Sequence, residues 1–498
     1  MNSIIPFSLR PFIILLALVA GLLAQIAQAF PVSSPEQEGV PSRAILSLIE
    51  RMEKDIDAVH SLMILRHGKI ITQGWWAPYD ADTPHVLHSL SKSFTSTAIG
   101  LAIGEGKLSI DDPVISFFPE DTPEEPSWQL KSLRIRDLIT MNTGHRNAPR
   151  VRDNPTNWAR AFLHSEIEFK PGTHFQYNSA ATYMLSAILQ KVTGERLVDY
   201  LDKRLFQPLG IKKPHWDESP DGVNTGGWGL RVTTEDIAKL GQLYLQEGIW
   251  NGKRLLSKEW VHAATSKQTS NGSNPESDWD QGYGYQFWRC RHDCYRGDGA
   301  FGQFCIVMPD HDMVIAVTSG VSNMGAVMNV IWETLLPTIK TSSLPINRGG
   351  KRALVRKLAS LSLPVLESHS QSNPPFEKTF NLADNDAGVN SISFQLSGSE
   401  HQIKIQSAQG PQTLLLSTDS YIRSSMNNPF PYTQNKGTRI GASGAWIKPD
   451  VYQARIYFCE SPASIDYTFH FKNGGLLWES KLRHSLFGPK DTPPLRSR

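Results

Sequence analysis

Ser89-Leu90-Ser91-Lys92 runs without a break into Ser93-Phe94-Thr95-Ser96-Thr97-Ala98-Ile99-Gly100-Leu101-Ala102. The pattern predicts a helix that is apolar nearly all round, and therefore central, with a serine and a lysine near its start. Phe94, Ala98, Leu101 and Ala102 recur at helical spacing, Ile99 and Ile103 cover another side, and Gly104 and Gly106 supply a stop. Residues three apart on a helix share a face, so Ser89 and Lys92 can point into one pocket. A serine hydroxyl is a weak nucleophile until a base stands beside it. A helix N-terminus and apolar surroundings both disfavour a protonated amine, so a lysine placed there can take the serine proton. The plainer alternative makes Ser89 an N-cap and Lys92 a solvated charge.

Around this segment the elements alternate in kind. Ser42 to Ile56 has helical periodicity. Leu62-Met63-Ile64-Leu65, the turn Arg66-His67-Gly68-Lys69 and Ile70-Ile71-Thr72 read as a β-hairpin. From Ser89 to about Gln246 the pattern is mainly helical, with strong helices over Ala181–Val192 and Glu235–Leu245. Thr233 or Thr234 is the expected N-cap of the latter. Strands are expected at Tyr283–Arg289, Gly302–Met308 and Met313–Ser319, and a helix from about Ala326 to Leu335. Strands from both ends of the segment with a helical insertion between them define an α+β fold.

The composition shifts after residue 340. Lys351 to Leu361 reads as a short basic helix, and Ser368 to Pro375 as a linker. Period-2 stretches follow at Ser391–Leu396, Gln402–Gln406, Thr413–Ser417, Arg455–Phe458 and Tyr467–Phe471. They predict a separate antiparallel β-domain, a barrel or a sandwich, over residues 376–498. The expected division is a leader at 1–29, a first domain at 30–340, a linker at 341–375 and the β-domain.

The leader has the form of a secretory signal. Arg10 is its only charged side chain, Phe12 to Leu23 is nearly all apolar, and Ala27-Gln28-Ala29 has the small-x-small pattern of a cleavage site. A secreted or periplasmic location follows, with no membrane span after removal. The chain of 498 residues is 40% hydrophobic and 20% charged, with a net charge of +2. That balance gives no electrostatic pull toward nucleic acid. Cys290, Cys294, Cys305 and Cys459 make an even count, which permits disulfides; Cys290 and Cys294 bracket an apparent hairpin tip and can pair, or all four can be free and buried. Neither the cysteines nor the neighbouring His85 and His88 form a metal signature, and no metal or organic cofactor is expected.

Two further segments bear on chemistry. In Pro171-Gly172-Thr173-His174-Phe175-Gln176-Tyr177-Asn178-Ser179, Tyr177 stands on a turn just before a helix, where a hydroxyl can relay a proton to a leaving group. Asn178 or Ser179 is the N-cap. Tyr295-Arg296-Gly297-Asp298-Gly299-Ala300-Phe301-Gly302-Gln303 leads into a strand, and its glycines let a backbone approach a substrate closely. An edge N–H at Gly297, Asp298 or Gly299, with the Ser89 N–H, would make an oxyanion hole; a bulged strand or a tight turn is the alternative.

Taken in order, these segments resemble the β-lactamase-related serine hydrolases, which include class C β-lactamases, D-alanyl-D-alanine peptidases, family VIII esterases and 6-aminohexanoate-dimer hydrolases. The likeness covers roughly residues 35–340. It also runs through Gly106-Lys107-Leu108-Ser109-Ile110-Asp111-Asp112-Pro113-Val114, Arg136-Asp137-Leu138-Ile139-Thr140-Met141-Asn142-Thr143-Gly144 and Gly226-Gly227-Trp228-Gly229-Leu230. The resemblance implies Ser89 as acylated nucleophile, Lys92 as its activating partner and Tyr177 as proton shuttle. Two departures matter. The third position of the family's Tyr-x-Asn motif is Ser179, and Gly297-Asp298-Gly299 replaces Lys-Thr-Gly, so the cation that meets a substrate carboxylate is missing or displaced to Arg296. The expectation is therefore an esterase or amidase on a small ester, amide or peptide. A β-lactamase or D-alanyl-D-alanine carboxypeptidase, and a non-catalytic penicillin-binding-type sensor, are the alternatives.

Overall fold

The computed structural model describes residues 30–369, 375–427, 437–486 and 493–498, so the leader lies outside the described residues. The hairpin β1 (Val59–Arg66) and β2 (Lys69–Trp75) joins β3 (Trp288–Arg289), β4 (Tyr295–Gly299), β5 (Gln303–Met308) and β6 (Met313–Ser319) in one six-stranded sheet, ordered β2-β1-β6-β5-β4-β3. Every neighbouring pair is antiparallel. β1, β5 and β6 are buried along their whole length. Their segments Leu62–Leu65, Phe304–Met308 and Met313–Val317 read as unbroken apolar runs because helices cover both faces of the sheet.

The alternation of side chains sorts those runs into two cores. Leu62, Ile64, Ile306, Ile315 and Val317 pack with Ile45, Leu48 and Ile331, from the helices α1 (Ser42–Asp55) and α5 (Met324–Thr334). Met63, Leu65, Val307, Val314 and Ala316 face the helical insertion. That insertion contains α2 (Ser91–Gly104), α3 (Ser179–Thr193) and α4 (Thr234–Leu245). Thr233 caps α4 through a capping box with Asp236. Gly241 lets α4 sit hard on the sheet, since a Cβ there would lie 2.5 Å from Val314 Cγ1. The α+β architecture expected from the sequence is the one observed.

Two boundaries differ from expectation. The strand expected at Tyr283–Arg289 shrinks to Trp288–Arg289. Gly282 at φ +119° and Gln286 at φ +63° bend the chain, and Gly284 N–H closes a turn onto the Phe287 carbonyl at 2.8 Å. α2 starts at Ser91, and Ser89 lies in a 3-10 turn over His88–Leu90 before it.

The C-terminal strands are β7 (Phe376–Asn381), β8 (Val389–Ser397), β9 (Glu400–Ser407), β10 (Gly410–Ser417), β11 (Ile422–Met426), β12 (Thr438–Lys448), β13 (Val451–Phe458), β14 (Ser464–Lys472), β15 (Gly475–Arg483) and β16 (Leu495–Arg496). They form one sheet in sequence order, with β11 set off the path as a partner of β12. The sheet curls until its ends meet: Ala383 N–H donates to the Arg496 carbonyl at 2.8 Å and Arg498 N–H to the Asn381 carbonyl at 3.0 Å. Of the two expected forms, this is the barrel. Alternate residues such as Ile392, Phe394, Ile405, Leu414, Ile456 and Phe469 fill its core.

The segment between the two units is not a free tether. Helix α6 (Arg348–Ala359) packs on α1, and Leu363 N–H donates to the Ala77 carbonyl at 2.9 Å. The barrel then docks on residues 76–88. Tyr79 Oη donates to the Ser461 carbonyl at 3.1 Å, Val86 N–H to the Glu460 carbonyl at 2.8 Å, and Arg423 pairs with Asp80. Gly441 is the tightest point, because a Cβ there would stand 2.0 Å from Pro78 Cβ. We expect Gly441→Ala to force this junction apart and destabilise the chain by about 1–3 kcal/mol, read as a lower urea midpoint; an unchanged midpoint would show that the contact yields freely.

Candidate active site

Three elements converge at the start of α2. The turn His88–Leu90 carries Ser89, the turn before α3 carries Tyr177, and β4 runs alongside. His88 is held at φ +46°, a left-handed conformation rare outside glycine. Ser89 follows it, half-buried.

Lys92 lies one turn below and is 1% exposed. Its Nζ is 3.1 Å from Ser89 Oγ, 3.0 Å from Ser179 Oγ and 2.6 Å from the Gly227 carbonyl. It also stands 4.9 Å from the centre of the Tyr177 ring. Burial pulls its pKa down to about 7, and Asp298 opposes that shift. The solvated-charge alternative for Lys92 is thereby overturned: the side chain enters the core and binds three partners.

Tyr177 stacks on Trp288 at 5.4 Å, and Tyr283 meets it edge-on at 6.4 Å. Desolvation raises its pKa above that of a free phenol, Asp298 adds to the rise, and a hydrogen bond with Ser89 lowers it. Tyr177 therefore stays protonated where Lys92 is neutral. The following residue, Asn178, is the N-cap: its Oδ1 accepts from the N–H groups of Ala180 at 3.0 Å and Ala181 at 3.2 Å. Ser179 is freed from capping and contacts Lys92 instead.

β4 presses against the serine-bearing turn. A Cβ on Gly297 would meet Leu90 Cδ1 and Ser93 Oγ at 2.4 Å, and one on Gly299 would meet the Leu87 carbonyl at 2.0 Å. These glycines are required by close approach rather than by a bulge. β3 pairs only with Tyr295 and Arg296, so Gly297 to Gly299 have an open edge on that side. Asp298 is tied through Oδ2 to Arg296 Nε at 2.9 Å. A carboxylate paired to arginine accepts hydrogen bonds and donates none, so the Asp298 side chain is no oxyanion donor.

Arg296 does not present its charge to the cleft. It is fully buried, with Nη1 on the Asp278 carbonyl at 2.8 Å and its guanidinium 4.3 Å from the Trp279 ring centre. The structure thus brings Ser89, Lys92, Tyr177 and the Gly297–Gly299 strand together. Sequence reasoning missed Ser179, the Gly227 carbonyl and Trp288. The Gly226-Gly227 pair was a usable signal, since glycines mark places where a backbone comes close. Nothing local marks Trp288. All four thiols are free and buried. Cys290 Sγ accepts from Arg296 Nη1 at 3.1 Å and Cys294 Sγ donates to the His292 carbonyl at 3.2 Å, rather than to each other. Among the described residues no helix is long and apolar enough to cross a membrane.

The sequence pattern of the Beta-lactamase family matches residues 49–329, more than half of the chain. The chain belongs to that family and is a serine hydrolase. It is 26% identical to the 6-aminohexanoate-dimer hydrolase of Paenarthrobacter ureafaciens over 320 residues, covering 58% of this chain and 79% of that one. It is 23% identical to a protein assigned as a D-alanyl-D-alanine carboxypeptidase in Escherichia coli O157:H7, covering 52% of this chain and 77% of that one. In fold it matches a crystal structure assigned as a β-lactamase from Bacteroides dorei with a TM-score of 0.51 at 17% identity, covering 59% of this chain and 99% of that one.

The burial of Lys92 has a direct spectroscopic consequence. In a protein labelled with 13C at the lysine ε-carbon, one resonance should titrate with a midpoint near pH 7 and vanish in Lys92→Met. Absence of any Lys92-dependent transition near pH 7 would contradict the desolvation argument.

Proposed function

We propose that this chain is an exported hydrolase of carboxylic esters or amides that works through an acyl-enzyme on Ser89. The observation that carries the reading is the contact of Lys92 Nζ with Ser89 Oγ at 3.1 Å inside a desolvated pocket. The Gly227 carbonyl can only accept, so it fixes one N–H of the amine. Ser179 Oγ can take a second. The lone pair of a neutral amine is then free for the Ser89 proton.

In the first half-reaction Ser89 Oγ bonds to the substrate carbonyl carbon and its proton passes to Lys92. Backbone N–H groups of Ser89 and of the strand end at Gly299 hold the oxyanion. The intermediate collapses with cleavage of the C–O or C–N bond. Tyr177, protonated in the resting site, gives the leaving group its proton as it takes one from Lys92. In the second half water attacks the acyl carbon, loses its proton to the same pair, and Ser89 leaves with its own proton restored.

The two relatives named above support a small amide or peptide as one substrate class, since one is named for hydrolysing a dimer of 6-aminohexanoate and the other as a carboxypeptidase. The leader ending at Ala27-Gln28-Ala29 supports action outside the cytoplasm. A neutral lysine beside the serine favours turnover over a sensor role, because a binding pocket has no use for a poised base.

Exposure to a fluorophosphonate should add one adduct mass to the mature protein and none to Ser89→Ala; an adduct that persists in that variant would end the assignment. Tyr177→Phe should slow acylation by about a hundredfold; an unchanged rate would remove its role. Because Lys92 acts neutral, acylation should climb as pH rises through about 7 and then level off. Rates flat from pH 5.5 to 8.5 would exclude Lys92 as the base.

A further inference from the structure

The basic stretch that reads as a short helix is α6, and it has no part in the hydrolytic site. Between Glu333 and Glu367 the chain carries no acidic residue, yet it carries Lys340, Arg348, Lys351, Arg352, Arg356 and Lys357. The whole chain is nearly balanced, with 50 basic and 48 acidic side chains, so this run is a local excess.

The fold sorts these cations by face. α6 packs on α1 and β2, with Leu354 in the core that α1 shares and Gly350 buried beside Arg43. Lys357 turns toward α1 and pairs with Glu53. Arg348, Lys351, Arg352 and Arg356 recur at i, i+3, i+4 and i+8, so they share the outward face. All four are exposed, and among the described residues none of them pairs with a carboxylate. Val355 lies on the same face with 56% of its surface exposed, and Ile346, just before the N-cap Asn347, has 73%. α1 does not cancel the stripe, because its Arg43, Arg51 and Lys54 balance its Glu50, Glu53 and Asp55.

From Arg348 to Arg356 the stripe is straight and about 12 Å long. An outward helix face has no walls to enclose a small anion. A soluble polyanion would leave Val355 and Ile346 wet. A bilayer surface suits both features: lipid phosphates accept from guanidinium groups, and the interfacial layer takes up aliphatic side chains at the same level. We propose that the outward face of α6 is a docking surface for an anionic lipid bilayer. The apolar face of α6 is already used inside the protein, so the helix rests on the headgroups and does not enter the hydrocarbon. Leu354 belongs to the core on one face of the sheet, and the helical insertion with Lys92 covers the other. The inference stands without the Ser89 reading.

The test mixes the mature full-length chain with sucrose-loaded vesicles and reads the bound fraction after sedimentation. One set holds phosphatidylglycerol and phosphatidylcholine in equal parts, the other phosphatidylcholine alone. Each cation near an anionic bilayer adds about fivefold to binding. At low salt the anionic vesicles should therefore bind at least about tenfold more tightly than the neutral ones, and about 0.5 M salt should remove most of the difference. Arg348→Gln/Lys351→Gln/Arg352→Gln/Arg356→Gln should weaken binding to anionic vesicles by at least about tenfold. Lys404→Gln/Lys448→Gln/Lys472→Gln/Lys481→Gln removes the same net charge from exposed positions of the barrel and should weaken it by less than about threefold. Val355→Glu sets one acid amid the stripe at an exposed position, so it keeps the fold testable should the quadruple change disturb α6; it should weaken binding by at least about threefold. Equal binding to both vesicle types, equal losses in the two quadruple variants, an unaltered Val355→Glu, or capture of soluble polyglutamate without binding to vesicles would each overturn the proposal. None of these readouts passes through Ser89.

Discussion

The site depends on the desolvation of one amine. Lys92 is enclosed by the start of α2, the start of α3 and the Gly226–Gly227 segment, and water cannot reach it in bulk. A buried ammonium without a carboxylate contact is costly, so the proton leaves near neutrality instead of near pH 10. Asp298 tempers that effect through space without a direct hydrogen bond to Lys92. A carboxylate in contact with Nζ would hold the amine charged. The burial of Arg296 serves the same balance, because it engages one oxygen of Asp298 and offsets its field.

Tyr177 and Lys92 share a pocket yet are shifted in opposite senses by the same desolvation, which favours the neutral form of each. That splits their roles on physical grounds: the amine can take a proton, and the phenol can only pass one on. Trp288 and Tyr283 make this possible by walling Tyr177 with aromatic rings. They lie about a hundred residues downstream in sequence, on the segment that bends at Gly282 and Gln286. The irregular backbone there, rather than a regular strand, aims Trp288 at Tyr177.

Much of the fold was legible because its signals are local. Continuous apolar runs at Leu62–Leu65, Phe304–Met308 and Met313–Val317 mark strands covered on both faces, and Thr233 with Asp236 marks a helix start. Ser89 and Lys92 were legible as a pair because residues three apart at a helix start can share one pocket. The bend at Gln286 was not, since a left-handed glutamine carries no composition signal and is held by distant partners: its side chain reaches the Ile139 carbonyl at 2.7 Å and Thr182 Oγ1 at 2.7 Å. Ser179 was misjudged for a related reason. Asn178 and Ser179 are both good caps, and only the fold shows that Asn178 caps α3 and leaves Ser179 to Lys92. Strands β7, β11, β12, β15 and β16 were not among those expected; in β12 the small residues Gly441, Ser443 and Gly444 break the apolar alternation, and β11 and β16 are short.

The barrel is joined to this chemistry through the backbone that leads into Ser89. Val86 N–H donates to the Glu460 carbonyl of the barrel at 2.8 Å, and the next residue, Leu87, donates to the Leu230 carbonyl at 2.8 Å. Two successive amides are thus fixed by partners on different units. The left-handed His88 follows immediately. Such a conformation persists only where its surroundings over-determine it, and here the constraint comes from both sides. On the far side of the turn, His88 meets the edge of Phe301 at 5.8 Å, and Phe301 meets His484 of the barrel at 5.6 Å. The strained turn that presents Ser89 is therefore braced by the barrel through the backbone before it and through an aromatic contact beside it. A single domain ending at residue 340 would lack both braces, so the second domain belongs to the architecture of the site even though, among its described residues, it places no side chain in hydrogen-bond contact with Ser89 or Lys92.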